Sequence, residues 1–188
     1  MKIVEEKVLA ETPFARFVEL EYEDFKDTNK KWFGVRRSTP QAVIIVAITE
    51  DEEIILVKQP RPLIASDTIE FPAGLLDIDG EGTLETAVRE LMEETGFEVK
   101  DAEVLIGGDR GLVNSPGITD ERVSLVVASG AVKVREPLAN EQTKPLLLPI
   151  DTAYETLLEM SKSEEVGYKV FGNLLLLKQW YAKRKDTK

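Results

Sequence analysis

Apolar and polar residues alternate along "FARFVELEYEDF" (Phe14 to Phe25), "KDTNKK" supplies a polar turn, and "WFGVRR" resumes the extended pattern. That arrangement predicts a hairpin. "AVIIVAI" (Ala42 to Ile48) and "EIILVKQ" (Glu53 to Gln59) are nearly continuous apolar runs on either side of the acidic turn "TEDE". They predict a second hairpin, buried on at least one face. "TIEFPAG" reads as a short strand ended by Pro72. From Thr83 to Thr95 the period changes: Leu84, Ala87, Val88, Leu91 and Met92 recur at helical spacing, and Gly96 stands where a left-handed C-terminal cap belongs. Strand patterns return in "AEVLIG" and "RVSLVVASGAV". The chain then ends in two predicted helices, the first capped by Asp151 and the second running through "VFGNLLLLKQWYAKRK". Repeats, low-complexity tracts and linkers are absent from the 188 residues, a length that suits one ordinary domain with a small appendage.

Composition narrows the chemistry. Asp and Glu number 35 against 24 Lys and Arg, a formal charge of -11, which argues against nucleic acid or anionic lipid as a partner. A phosphate ligand must therefore be met by local cations. The chain contains no Cys and no His, so disulfides, thiolate metal sites and an imidazole base are all excluded, and catalysis would rest on carboxylates. The N-terminal "MKIVEEKVLAE" is too charged for a signal peptide, and the longest apolar runs fall short of a membrane span, so the expected location is the cytoplasm.

The helix holds the main anomaly. With Leu84 at zero and 100° per residue, its apolar set lies within roughly 80°, while Glu90, Glu93 and Glu94 share an arc of roughly 180° to 280°. Like charges at that spacing repel. A solvated acidic face, with Arg89 paired to Glu93, is one explanation; a bound cation is the other.

What precedes the helix bears on that choice. "GLLDIDGEGTLETAVRELMEETGF", from Gly74 onward, resembles the Nudix box, G-x5-E-x7-R-E-U-x-E-E-x-G-U with U a bulky apolar residue, through Gly74, Glu81, Arg89, Glu90, Leu91, Glu93, Glu94, Gly96 and Phe97. One loop residue is extra, since six rather than five separate Gly74 from Glu81, with the insertion at Ile78 or Asp79. The resemblance implies a Nudix α/β/α sandwich with a mixed sheet and a small N-terminal antiparallel β subdomain. The corresponding division is 1–40 for the β subdomain, serving dimerisation and base binding, and 41–188 for the hydrolase domain. It also implies hydrolysis of a nucleoside diphosphate linked to another group, with Mg²⁺ (Mn²⁺ as the alternative) held by Glu90 and Glu94, by Glu93, and by the carbonyl of Ala73. Hard cations of this kind prefer carboxylate oxygens. By the same resemblance, Arg89 and Glu81 orient the site.

Four further stretches resemble the ADP-ribose pyrophosphatase branch of that family. "ILVKQPRPLIASDTIEFPAG" is similar to the segment in which Q-aromatic-R precedes E-x-P-A-G, except that Pro60 replaces the aromatic; it places Arg61 and Glu70 at the substrate diphosphate, and the alternative for Arg61 is a surface arginine. "NKKWFGVRR" is similar to the strand that lends an aromatic and an arginine to the nucleobase, here Trp32 and Arg37; plain core is the other role for Trp32, and Trp180 is assigned to packing. "NSPGITDE" is similar to the S-P-G-x-[ST]-[DE]-E stretch, putting Pro116 and Gly117 at the substrate unless they merely make a turn. "EPLANEQTKPLLLP" is similar to the loop carrying the catalytic base, with Glu141 the candidate and Glu136 in reserve. The expected partners are a small nucleotide-sugar substrate and a second copy of the chain in a homodimer. Rivals are a Nudix hydrolase for GDP-mannose or a dinucleoside polyphosphate, and a non-catalytic nucleotide-sugar sensor.

Overall fold

A computed structural model describes residues 1–26, 28–139 and 141–185; Asp27 of the predicted polar turn and the last three residues of the predicted hydrolase unit lie outside them. In chain order the strands are Lys2–Glu11 (β1), Ala15–Glu23 (β2), Asn29–Arg37 (β3), Gln41–Thr49 (β4), Glu53–Arg61 (β5), Ser66–Glu70 (β6) and Ala73–Leu75 (β7). Helix α1, Thr83–Thr95, follows. Next come Phe97–Glu98 (β8), Asp101–Ile106 (β9), Leu112–Val113 (β10), Arg122–Lys133 (β11) and Lys144–Pro149 (β12). Helix α2, Ala153–Met160, then Glu165–Val166 (β13) and helix α3, Lys169–Lys185, close the chain.

Strands β1, β2 and β3 form a separate antiparallel sheet, and the remaining ten form a mixed sheet in which β11 runs parallel to β4 and antiparallel to β8, β9 and β10. Period two explains the layering. Along β4, Val43, Ile45 and Ala47 face α1, where Ala87 and Leu91 are fully buried; Val46 and Ile48 face α2 and α3, packing on Leu157, Leu174 and Leu177. A strand covered on both faces must be apolar at every position, which is why "AVIIVAI" shows no alternation. Trp180 belongs to the second of these layers, as packing, and is 8% exposed.

Two expectations need correcting. The predicted β4/β5 hairpin pairs only at Ile48 and Ile54 beside its turn. Beyond that point the strands splay: β7 takes the edge of β4, and β6 takes the continuation of β5. The splay opens a cleft at the N-terminal end of β4. Asp151 does not cap α2; Thr152 is the N-cap, without a side-chain hydrogen bond, and the Asp151 carbonyl accepts from Lys178 Nζ. Strand β1, exposed along its whole length, had no pattern to announce it. Among the described residues no helix is long and apolar enough to cross a membrane.

Candidate active site

Helix α1 begins after Gly82 and ends at Gly96, whose φ of 74° and N–H to Met92 close it. A Cβ on Gly96 would sit 1.9 Å from the Arg135 carbonyl, because the chain after β11 returns across the helix end. On the helix, Arg89 is a hub: its Nε donates to Glu81 at 3.1 and 3.2 Å, and its Nη1 donates to Glu90 at 2.9 Å and Glu93 at 3.0 Å. Burial alone would lower the Arg89 pKa, but the bonds to Glu81 and Glu93 and the charge of Glu90 outweigh it and raise it. The extra loop residue leaves this geometry intact, since Glu81 N–H bonds the Ile78 carbonyl while Ile78 points outward and is half-exposed.

The acidic arc is not uniformly solvated. Glu94 is only 5% exposed and accepts a bond from the Ala73 N–H at 3.2 Å. Burial is the main cause that pushes its pKa up to about 8; Glu90 and Glu141 act in the same direction, against the Ala73 bond and Arg61. Burial also raises Glu90, with Glu93 and Glu141 adding to it and Arg89 opposing. Gly74 makes room here: a Cβ would lie 2.0 Å from the Glu90 carboxyl carbon.

Glu141 reaches this cluster because its loop is stitched to the end of α1. Leu138 N–H donates to the Glu93 carbonyl, Thr143 Oγ1 donates to the Glu94 carbonyl, and Glu141 N–H turns back to Leu138. Glu136 instead has its side chain 88% exposed, 3.5 Å from Lys133. Among the described residues no three acidic groups are gathered tightly enough to enclose an ion. The donor set nevertheless suits a hard divalent cation: carboxylate oxygens are its preferred ligands, and Arg89 engages only one oxygen each of Glu90 and Glu93.

Beside the cluster lies a cleft of about 510 Å³, lined by Arg37, Arg61, Glu70, Ala73, Gly74 and Glu121 together with the start of α3. Arg61 is held in a two-bond fork by Glu70, at 2.8 and 2.5 Å. Arg37 pairs with Glu121 at 3.2 Å, Asn114 donates to the same carboxylate, and the Arg37 Nε is buried without a partner among the described residues.

Residues 38–159 match the NUDIX domain family. The chain belongs to the Nudix family. Among its relatives, a Bacillus methanolicus protein named methanol dehydrogenase activator is 39% identical over 138 residues, 70% of each chain. An ADP-ribose pyrophosphatase of Bacillus subtilis is 32% identical over 171 residues, 88% of each chain. A solved structure titled as an ADP compounds hydrolase superposes with a TM-score of 0.80, covering 98% of this chain and 96% of that one at 24% identity, a likeness of fold. The α/β/α layering with its mixed sheet is thus the Nudix fold, and the chain is a Nudix hydrolase of a family that in general depends on divalent metal.

In this Nudix chain the residues singled out from sequence do not all meet. Ala73, Glu81, Arg89, Glu90, Glu93, Glu94 and Glu141 cluster about the end of α1, and Arg37, Arg61 and Glu70 line the adjoining cleft. Trp32 and Pro116 line a different cavity, of about 620 Å³, between the N-terminal sheet and the body. Trp32 is 49% exposed, not core, and its Nε1 donates to the Gly117 carbonyl at 3.1 Å. Sequence reasoning missed Glu121 as the partner of Arg37, and Lys169 and Asn173 in the cleft wall. Glu121 sits inside the quoted "NSPGITDE", but nothing local signals a pairing with β3 across the fold.

Proposed function

We propose that this Nudix hydrolase is a Mg²⁺-dependent pyrophosphohydrolase, with Mn²⁺ as the alternative ion, that splits ADP-ribose or a related nucleoside diphosphate sugar into a nucleoside monophosphate and a sugar phosphate. The observation that carries it is the joining of the carboxylate cluster of α1 to a cleft holding two oriented arginines. The names of the Bacillus subtilis relative and of the structural neighbour agree with it. Glu90, Glu93, Glu94 and the Ala73 carbonyl would hold the metal, which supplies charge neutralisation at the diphosphate and a more acidic water. Arg89, with Glu81, fixes the ligand carboxylates. Arg61, presented by Glu70, and Arg37 take the diphosphate and the base side of the substrate. Glu141 accepts the proton of the attacking water; the water oxygen bonds to one phosphorus, and the bridging oxygen leaves with the other phosphate.

Residues 1–40 form the unit that binds a second copy in a homodimer and, through Trp32 with Pro116 and Gly117 behind it, contacts the base. The protein acts in the cytoplasm, on a small molecule, away from membrane and nucleic acid. The test is incubation with Mg²⁺ and a panel of nucleotide sugars, with products identified by mass. AMP and ribose 5-phosphate from ADP-ribose are expected. Metal-dependent turnover of no panel member would leave a binding module in place of an enzyme.

A further inference from the structure

We propose that Tyr168, Lys169 and Asn173, where the chain enters α3, select the group carried on the far phosphate of the substrate, and that this group is a hydroxylated sugar. The proposal rests on the nucleoside diphosphate sugar reading above and adds the specificity-determining residues.

Local structure brings these residues to the cleft. Strand β13 pairs in parallel with Thr68 and Ile69, and the Gly167 N–H donates to the Ile69 carbonyl at 2.9 Å. That docks the segment beside Glu70, the partner of Arg61: a Cβ on Gly167 would lie 3.3 Å from Glu70 Cγ. The Val170 N–H then bonds the Gly167 carbonyl, and α3 starts with Val170 and Leu174 buried beneath it. Lys169 and Asn173 are four residues apart, on one face of the helix. Ile44, Val123, Tyr168, Lys169 and Asn173 line both the arginine cleft and a second cavity of about 310 Å³, so they form the neck between the two.

Charge and exposure say what the neck takes. Of the cations lining the cleft, Arg37 is matched by Glu121 and Arg61 by Glu70, whereas Lys169 has no carboxylate partner among the described residues. The Asn173 side chain is likewise without a hydrogen bond there, and Tyr168 is 86% exposed, an aromatic ring with little packed on it. An ammonium and an amide offer donors and an acceptor to hydroxyls and to a phosphate oxygen, and a phenol ring offers a flat apolar face to the C–H side of a sugar. A ligand whose diphosphate spans Arg61 thus places its far group against this wall.

The two halves of the substrate separate the roles. The wild-type chain and the Lys169→Met, Asn173→Ala and Tyr168→Ala variants are titrated by calorimetry with ribose 5-phosphate and, separately, with AMP. All three positions are at least partly exposed, so the variants are expected to melt with the wild type. Each substitution should weaken ribose 5-phosphate about tenfold while AMP changes by less than about twofold. Weakening of AMP instead, no change for either ligand, or no binding of ribose 5-phosphate by the wild type would overturn the assignment. These affinities require no turnover, so a protein that binds ribose 5-phosphate through the neck yet cleaves no nucleotide sugar refutes the proposed reaction and not the subsite.

Discussion

Two side chains of α1 carry opposite electrostatic burdens. Arg89 is bonded through Nε and Nη1 to three carboxylates, its Nη2 being buried without a partner among the described residues, while Glu94, a turn further on and more deeply buried, has one backbone N–H and a distant arginine. With its pKa pushed up to about 8, Glu94 keeps a proton in the folded protein that the unfolded chain releases above its ordinary value of 4.5. Between those pH values the unfolded state binds fewer protons, so stability falls as pH rises. The favourable contribution is complete below pH 4.5 and is lost as pH climbs through about 8. Glu94→Gln removes this burden and can still accept the Ala73 bond. The metal-free variant should therefore melt higher than wild type at pH 8, by on the order of 4 kcal/mol or ~10 °C, and the gap should close near pH 4.5. With Mg²⁺ its turnover should collapse. Melting curves at the two pH values check the first half, and a pH-independent gap would show that the carboxylate is not the buried group. For the proposed base, Glu141→Gln should lower kcat about 10²- to 10⁴-fold, and Glu136→Gln should leave it unchanged; rates of both variants at saturating substrate decide it.

At the scale of elements, what could be read from sequence was what is local. The bounds of α1 follow from its 3.6 period and Gly96, and both match the structure. The burial of Glu94 was hidden, because the helical wheel groups it with Glu90 and Glu93, whereas β7, folding back along β4, brings the Ala73 N–H onto it. The pairings of Arg61 with Glu70 and of Arg37 with Glu121 were hidden for the same reason: they depend on the register of β5 on β6 and on β3 meeting the loop before β11. Strand β1 gave no signal because its partner strand, not a buried face, holds it. Gly74 was legible as a motif letter, and the structure supplies its cause. Gly74→Ala sets a methyl where the Glu90 carboxylate lies, and the flexible side chain yields more readily than the backbone. Folding should survive with a loss of ~1 kcal/mol or less, while metal affinity measured by calorimetry falls about tenfold or more. Unchanged affinity would mean that Glu90 is not a ligand.

Across the whole molecule, the N-terminal sheet is fastened to the body at one seam. Val35 N–H donates to the Ile118 carbonyl at 2.7 Å, the Arg37 N–H to Asp120 at 3.0 Å, and Trp32 to Gly117 at 3.1 Å, with Arg36 and Arg37 paired to Asp120 and Glu121. The rest of the sheet presents Ile3, Val8, Leu9, Phe17 and Phe33 at 42% to 47% exposure, apolar surface that a second copy would cover in the proposed homodimer. Trp32 stands at the seam itself. If it stacks on the base, Trp32→Ala should raise KM for ADP-ribose about tenfold to a hundredfold, the equivalent of a 1 to 3 kcal/mol stack. Being half-exposed, it should cost only ~1 kcal/mol of stability, against roughly 3 to 5 for a buried tryptophan. Melting temperature and KM measured on the same variant separate the roles. A large fall in melting temperature with KM unchanged would make Trp32 a structural pin of the seam and leave base recognition to the cleft around Arg37.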